Sequence, residues 1–505
     1  MTKYLVGIDR GHSGVRAGCF DMRGRLASGA NVDVPIHTPR PGQSVCRPEE
    51  LAACILQAVK TAVDGLPGPE ARRAIAGVSF SIAGGPLIGY AQDGSIPFGI
   101  IFPSDCRRGD FFYASKALER AGISVEEYTA AVTTPVPWML SNILYLQDRF
   151  PDICGKITRW AVSEHALFLR TLGSPHMWET ECRGSMHFNY DPIARKYVAR
   201  ICDAVGLHGD DFLPLHYADE CCGQVSGEAA DATGIPAGTP LFLGTNDMVP
   251  HVLAQGAIGE GCAIANYGTF GSTGMRITDA ARFRPLPGSR YSLHATGGGF
   301  RDDWQISSSV NGCGASYAWL NRNVCAGLDG GRGGSPALYA AMNRAAGSSP
   351  IGANGLYYYP DIIGGRAAFL GIGTHTAMPD MVRAVLEGMA FEMLGALREV
   401  EDSTGAGIKR LFVAGGVTKA DVFTQMLADM YQMDIVRADV DPDMAGAKGA
   451  AMIAGIGAGL FQDIADAAAH MAGREAVTVH PIPSQMEQYR EQLPNWQARL
   501  GQLAR

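Results

Sequence analysis

An apolar run ends on Asp9, and the chain then turns through Gly11-His12-Ser13-Gly14 into a second β-type run that carries Arg16. Those residue types in that order suit the binding of an anion. Backbone N–H groups turned outward in a bend form an anion-binding concavity. The Ser13 hydroxyl and the Arg16 guanidinium add donors, and a carboxylate beside phosphates is the usual hard-oxygen partner of Mg²⁺. A nucleotide tail held with a metal would use all of them. An ordinary glycine-rich hairpin accounts for the same residues, so this segment alone leaves both readings open.

Three further segments carry comparable residue types. Strand, Gly/Thr bend and strand recur from Gly261 to Gly274, with Gly268 and Thr269 in the bend. Asp247 follows the apolar run Leu241–Gly244 and precedes a helical pattern from Met248 to Gly256. A carboxylate there can be held rigidly in a cleft, but aspartate is also a good helix N-cap, and the residues alone favour the cap. Gly415-Gly416 follow a strand at Arg410–Ala414. Glycine permits close backbone approach to a ligand, but for a glycine pair taken alone a tight turn needed for packing is the favoured reading. His165 and His375 have no second histidine at ligand spacing and read as structural; Trp319, at helical spacing, reads as core.

The elements that must position these groups alternate between β-type and helical patterns. Pro48–Asp64 has helical periodicity with acids in its first turn, and Ala76–Ser81 reads as a short buried strand. Trp138–Phe150 and Ser163–Leu172 read as helices. Turn residues at Thr233–Pro240 mark a change of texture, after which the second half repeats the design of the first. A helix is expected over Met381–Glu401, another running to Met430, and a small-residue helix opening at Gly449-Ala450-Ala451. The class is α/β.

At 505 residues the chain exceeds the size at which one core stops growing, so two domains are expected. Lysine plus arginine total 42 against 50 acidic residues, a net charge of −8 with no basic block. That excludes the electrostatic footprint of a nucleic-acid binder. The 12 cysteines show no C-x-x-C pair and read as small hydrophobes of a reduced compartment. Gly449–Phe461, among the longest apolar stretches, would span about 20 Å as a helix, short of the roughly 30 Å a bilayer needs. No charged and apolar leader precedes the first strand. A cytoplasmic protein with no membrane partner is expected.

Two glycine-rich hairpins facing one another across a domain interface can grip phosphates from opposite sides, and such interfaces are where ligand clefts form. Here the sequence resembles the FGGY carbohydrate kinases, the sugar and polyol kinases of the actin-like ATPase superfamily, from Gly7 to about Phe461. The resemblance rests on ordered motifs: Gly7-Ile-Asp9-x-Gly11 with Ser13 and Arg16; Pro41-Gly42 with Pro48-Glu49-Glu50; Ser104-Asp105-Cys106-Arg107-Arg108; and Pro240–Gly256. Gly268-Thr269, Asn311–Leu320 with Gly314, Tyr359–Arg366, Gly371, His375-Thr376, Arg383–Gly388, Gly415-Gly416, Gln425 and Asp429 continue the series.

The resemblance implies two ribonuclease H-like (actin/hexokinase-type) domains with a cleft between them: residues 1–252 facing the sugar and residues 253–505 the nucleotide. It implies ATP and Mg²⁺, a small sugar or polyol as acceptor, and leaves room for a homodimer. Asp247 becomes the general base that takes the acceptor's hydroxyl proton, and Asp9 organises Mg²⁺. Gly11, His12, Ser13, Arg16, Gly268, Thr269, Gly314, Gly415 and Gly416 contact ATP, while Ser81, Asp105 and Asp247 face the substrate.

The chain also departs from its relatives. His12 stands where the family has threonine. Glycerol kinases carry a Gln-Arg-Glu group and xylulokinases a Met-His-Gly group where this chain has Ser81-Ile82-Ala83. Met248 and Ser104 replace an amide and a tryptophan of the glycerol kinases. Asp105 with Arg107-Arg108 is closer to the L-xylulose kinase type. A ketopentose such as xylulose is therefore the expected acceptor, with a glycerol- or erythritol-type polyol kinase, or a catalytically degenerate sugar-sensing ATPase, as alternatives.

Overall fold

The computed structural model describes residues 2–11, 13–105, 112–286, 289–326 and 335–503. The first apolar run becomes β1 (Tyr4–Arg10), which pairs antiparallel with β2 (Gly14–Asp21), and β2 pairs with β3 (Leu26–Asp33). Side chains on both faces of β1 are buried, hence its unbroken hydrophobicity. Helix α1 (Pro48–Asp64) has Pro48 in its first turn, where a missing N–H is harmless, and Glu49 and Glu50 at its positive end. Its Leu51, Ile55, Ala58, Val59 and Ala62 share one face and enter the first core.

Strand β4 (Ile75–Ile82) lies parallel to β1 on the other side. With β5 (Cys221–Gln224), β6 (Pro240–Phe242) and β7 (Thr245–Asn246) it completes a sheet ordered β5-β6-β4-β1-β2-β3, with β7 also beside β4. Helix α2 (Met248–Gln255) follows β7 at once.

The second sheet uses β8 (Cys262–Tyr267), β9 (Gly271–Ile277), β10 (His294–Gly297), β11 (Trp304–Val310), β12 (Arg410–Ala414), β13 (Asp434–Ala438) and β14 (Glu475–Val479), ordered β10-β11-β9-β8-β12-β13-β14. Within it, β11-β9-β8-β12-β13 repeats the order and directions of β3-β2-β1-β4-β6: an antiparallel triplet, then two strands parallel to the first. The repeated pattern in the sequence is thus a repeated topology. Helices α3 (Cys313–Asn323), α4 (Met378–Thr404) and α5 (Asp421–Tyr431) cover this sheet, and α4 runs through its core.

Helix α6 (Ala445–Gly457) comes from the second half but packs on β1, β4 and α2 of the first. It shares a core with Leu5, Phe20, Phe242 and Val249. Small residues make the approach possible. A Cβ on Gly7 would fall 1.7 Å from the Ala447 carbonyl oxygen, and one on Gly449 2.0 Å from that of Pro250.

The helix therefore begins at Ala445, four residues before its expected start, and Gly449 is a contact point within it. Gly416–Lys419 forms a 3₁₀ turn ahead of α5. Trp319 is not core: α3 buries Cys313, Ser316, Tyr317 and Leu320, a helical stripe that Trp319 lies off, and it is 36 % exposed. Among the described residues no helix is long and apolar enough to cross a membrane.

Candidate active site

Asp9, one residue before the end of β1, lies directly opposite Arg16 on β2 and Ser81 on β4. Its Oδ1 accepts the Ser81 hydroxyl at 2.6 Å, and its Oδ2 lies 3.5 Å from Arg16 Nη1. Gly446, in the first turn of α6, presses close enough that a Cβ there would sit 2.2 Å from Oδ1. The positive end of a helix is thereby turned toward the carboxylate. Burial pushes the Asp9 carboxyl above its usual range. The His251 imidazole, the Ser81 hydroxyl and the Arg16 guanidinium pull it back, and the nearby Asp247 adds to the rise.

Asp247 occupies the N-cap position of α2 but makes no capping hydrogen bond, and its backbone is already helical. Asn246 does the capping instead: its Oδ1 accepts the Val249 N–H at 3.1 Å. The Asp247 carboxylate is free to line a cavity of about 430 Å³ between the two halves of the molecule. His251, one turn on, bonds through Nδ1 to the Asp247 carbonyl oxygen at 2.6 Å. Its spacing of four from Asp247 on a helix was a readable sign that sequence reasoning passed over.

The phosphate-type bends differ in detail from expectation. The Gly11 N–H donates to the Gly14 carbonyl at 3.1 Å, so the turn itself uses that donor. Ser13 is exposed, and its carbonyl accepts from Val34 N–H. Arg16 reaches Asp9 and, at 3.9 Å, Asp443. His12 lies outside the described residues.

In the second bend Thr269 is exposed, and the Gly268 carbonyl accepts the Gly314 N–H at 2.7 Å. Gly314 is glycine for packing: a Cβ would fall 2.6 Å from that same oxygen. Gly415 likewise has a positive φ of 112° and passes 2.6 Å, at its would-be Cβ, from the Tyr267 carbonyl. Gly416 faces open space.

Two expected substrate contacts lie elsewhere. Ser81 is fully buried and its proton goes to Asp9, because β4 aligns it with that carboxylate rather than with the cavity. Asp105 is 3 % exposed and accepts the Ser44 N–H at 2.7 Å, which fixes a loop. Cys106, Arg107 and Arg108 lie outside the described residues. His165 is buried against Ser163, and burial pushes its pKa well down; His375 is exposed, away from the cavity lining.

The cavity is instead lined by side chains that the sequence did not single out, Arg183, Thr296, Gln305 and Ser307 among them. Among the described residues no three His, Cys, Asp or Glu side chains cluster as a metal cage. Asp9 suits the other arrangement, a Mg²⁺ held by a carboxylate together with phosphate oxygens. Its buried carboxyl, raised further by the nearby Asp247, gains from a cation beside it.

Comparison with known proteins gives the following. Residues 4–254 match the N-terminal domain, and residues 265–458 the C-terminal domain, of the FGGY family of carbohydrate kinases. The chain is 22 % identical over 498 residues to a xylulose kinase of Bacillus subtilis (strain 168), covering 97 % of this chain and 95 % of that one. It is 24 % identical over 485 residues to an L-xylulose/3-keto-L-gulonate kinase of Escherichia coli (strain K12), covering 92 % and 91 %. Its fold superimposes on the crystal structure of a xylulose kinase from Rhodospirillum rubrum with a TM-score of 0.87 at 19 % identity, covering 99 % of each chain.

Proposed function

The chain belongs to the FGGY family of carbohydrate kinases, and from that premise we propose that it phosphorylates a hydroxyl of an open-chain sugar of ketopentose length, with Asp247 as general base. ATP-dependent sugar kinase activity is the chemistry of the family. The assignment of Asp247 is supported by one observation: it heads a helix without capping it and lines the cavity. A purely structural aspartate at that position would cap.

In this reading residues 1–252 supply the acceptor side and residues 253–505 the nucleotide side. The acceptor oxygen bonds to the γ-phosphorus, the bond to the β–γ bridging oxygen breaks, ADP leaves, and the hydroxyl proton goes to Asp247. Arg16 offsets charge on the transferring group, and Ser13, Gly268 and Thr269 position the phosphates. Asp9 would hold Mg²⁺, which neutralises phosphate charge when bound; Ser81 keeps the Asp9 carboxylate oriented. The names of the similar kinases support a pentulose-sized acceptor.

A coupled ADP-release assay across ketopentoses, tetritols, glycerol and hexuloses tests the proposal. Acceptor-stimulated turnover is expected, highest with an acceptor of five-carbon length. No stimulation by any member of the panel overturns it.

A further inference from the structure

Among the described residues, one buried cation in the cavity wall has no counter-ion. Arg183, on the 3₁₀ segment Glu181–His187, is 4 % exposed. Its Nη2 donates to the Ile82 carbonyl, its Nη1 lies 3.1 Å from the Met186 sulfur, and its Nε has no partner. Among the described residues no carboxylate oxygen lies within 4.0 Å of it. A guanidinium has five donors in a rigid fork, and leaving it buried without an anion is costly. The fold nonetheless makes room for it: a Cβ on Gly84 would fall 2.2 Å from Nη1.

Across the cavity, on β11, Gln305 is 2 % exposed and neither atom of its amide has a partner. It too sits in a berth left by glycine, since a Cβ on Gly274 would fall 2.5 Å from its Nε2. Both side chains line the cavity that Asp247 lines. Buried polar groups are normally bonded, so two unsatisfied ones converging on one cavity describe the ligand that completes them. It brings an anion on one side and a hydroxyl on the other.

We propose that the phosphoryl acceptor is a sugar acid, its carboxylate held by Arg183 and one of its hydroxyls by Gln305. This rests on the kinase reading above and narrows it: the five-carbon-length chain ends in a carboxylate. A planar carboxylate matches the guanidinium fork in a way that a neutral sugar cannot. The nucleotide's phosphates are the other source of negative charge. The bonds of Arg183 run to Ile82 and Met186 rather than to either hairpin bend, which favours the acceptor. The transfer step is unchanged, and the carboxylate takes no part in bond making.

The test uses matched pairs that differ only in the acid: pentonates against pentitols, and hexulosonates against hexuloses. ADP release is measured with the wild type, Arg183→Gln, Arg183→Lys and Gln305→Met. Wild type is expected to favour the acid by about a hundredfold in kcat/KM. Arg183→Gln is expected to remove that preference through the acceptor's KM, and Arg183→Lys to restore part of it, since charge returns without the fork. Gln305→Met is expected to lower acid and neutral acceptor alike, about tenfold.

A wild-type preference for the neutral partner overturns the proposal, and this ratio decides even if no variant folds. So does an Arg183→Gln effect that falls on the KM for ATP with the acid/neutral ratio intact. If no acceptor of either class stimulates ADP release, the kinase reading fails and binding alone judges Arg183. A pentonate that raises the melting temperature of wild type but not of Arg183→Gln then supports the carboxylate site, and one that shifts neither overturns it.

Discussion

The two hairpins share a topology and differ in what they carry. In the first, Asp9 and Arg16 face each other across the strands, and the carboxylate is 4 % exposed between a hydroxyl and a guanidinium. In the second, the corresponding pair is Asn266 and Ser272, uncharged, and the bend is tied to α3 through Gly268 and Gly314. Phe270 at its tip is 56 % exposed. One fold unit used twice has thus placed charged groups at the first bend and uncharged ones at the second. In the proposed reading, charge that develops during phosphoryl transfer would be answered from the first lobe, and the second would hold the nucleotide in place.

The most severe way to break this asymmetry is Asp247→Asn. The amide cannot accept the proton, so kcat is expected to fall about 10³-fold or more while ATP affinity, measured by equilibrium titration, changes by less than about twofold. Retained turnover would remove Asp247 from the role of base. Next in size, Arg16→Ala is expected to lower kcat about 10²-fold with a smaller effect on acceptor KM. Thr269→Ala, in the bend of the second hairpin, is expected to cost about fivefold, chiefly in KM for ATP. Equal losses in kcat from the two would erase the distinction between the hairpins.

What the sequence made legible follows the same division. The first hairpin, α1 and β12 were readable almost to the residue, because each is set by local pattern: a continuous apolar run, a first-turn proline with acids, a strand closed by glycines. Asp247 was readable as a candidate only through resemblance, since its residue context alone favoured a cap, and it is Asn246 that does the capping. Ser81 and Asp105 were chosen for position along the chain, but strand register turns one to Asp9 and a loop turns the other to Ser44. Arg183 and Gln305 carry no local sign at all. One comes from an irregular 3₁₀ segment and the other from a strand of serines, and they meet only because distant parts of the chain enclose one cavity.

The smallest effect concerns where the lobes touch. Glu181 lies on the first lobe, and its Oε2 is so close to β10 of the second that a Cβ on Gly297 would fall 1.8 Å away. It faces Arg195 at 3.7 Å, the Tyr190 hydroxyl at 3.2 Å, and Asp303. Burial raises its pKa from 4.5 to about 7, with Arg195 and Tyr190 opposing and Asp303 adding to the rise. The folded state therefore keeps a proton that the unfolded chain has lost. Its contribution is complete below about pH 4.5, declines as pH rises toward 7, and is gone above that, with a limiting slope of about 1.4 kcal/mol per pH unit.

Glu392 on α4, paired with Arg290 at 2.6 Å, is also raised to about 7 by burial. The two carboxyls therefore act over the same pH window from different lobes. Glu181→Gln keeps an acceptor for Tyr190 and removes the titration. Thermal unfolding followed from pH 5 to 8 should show a decline in wild type that this variant makes shallower, by on the order of 1–2 °C across the range. An identical decline in the variant would remove Glu181 from the pH sensitivity and leave it to the other carboxyls that burial raises, Glu392 among them.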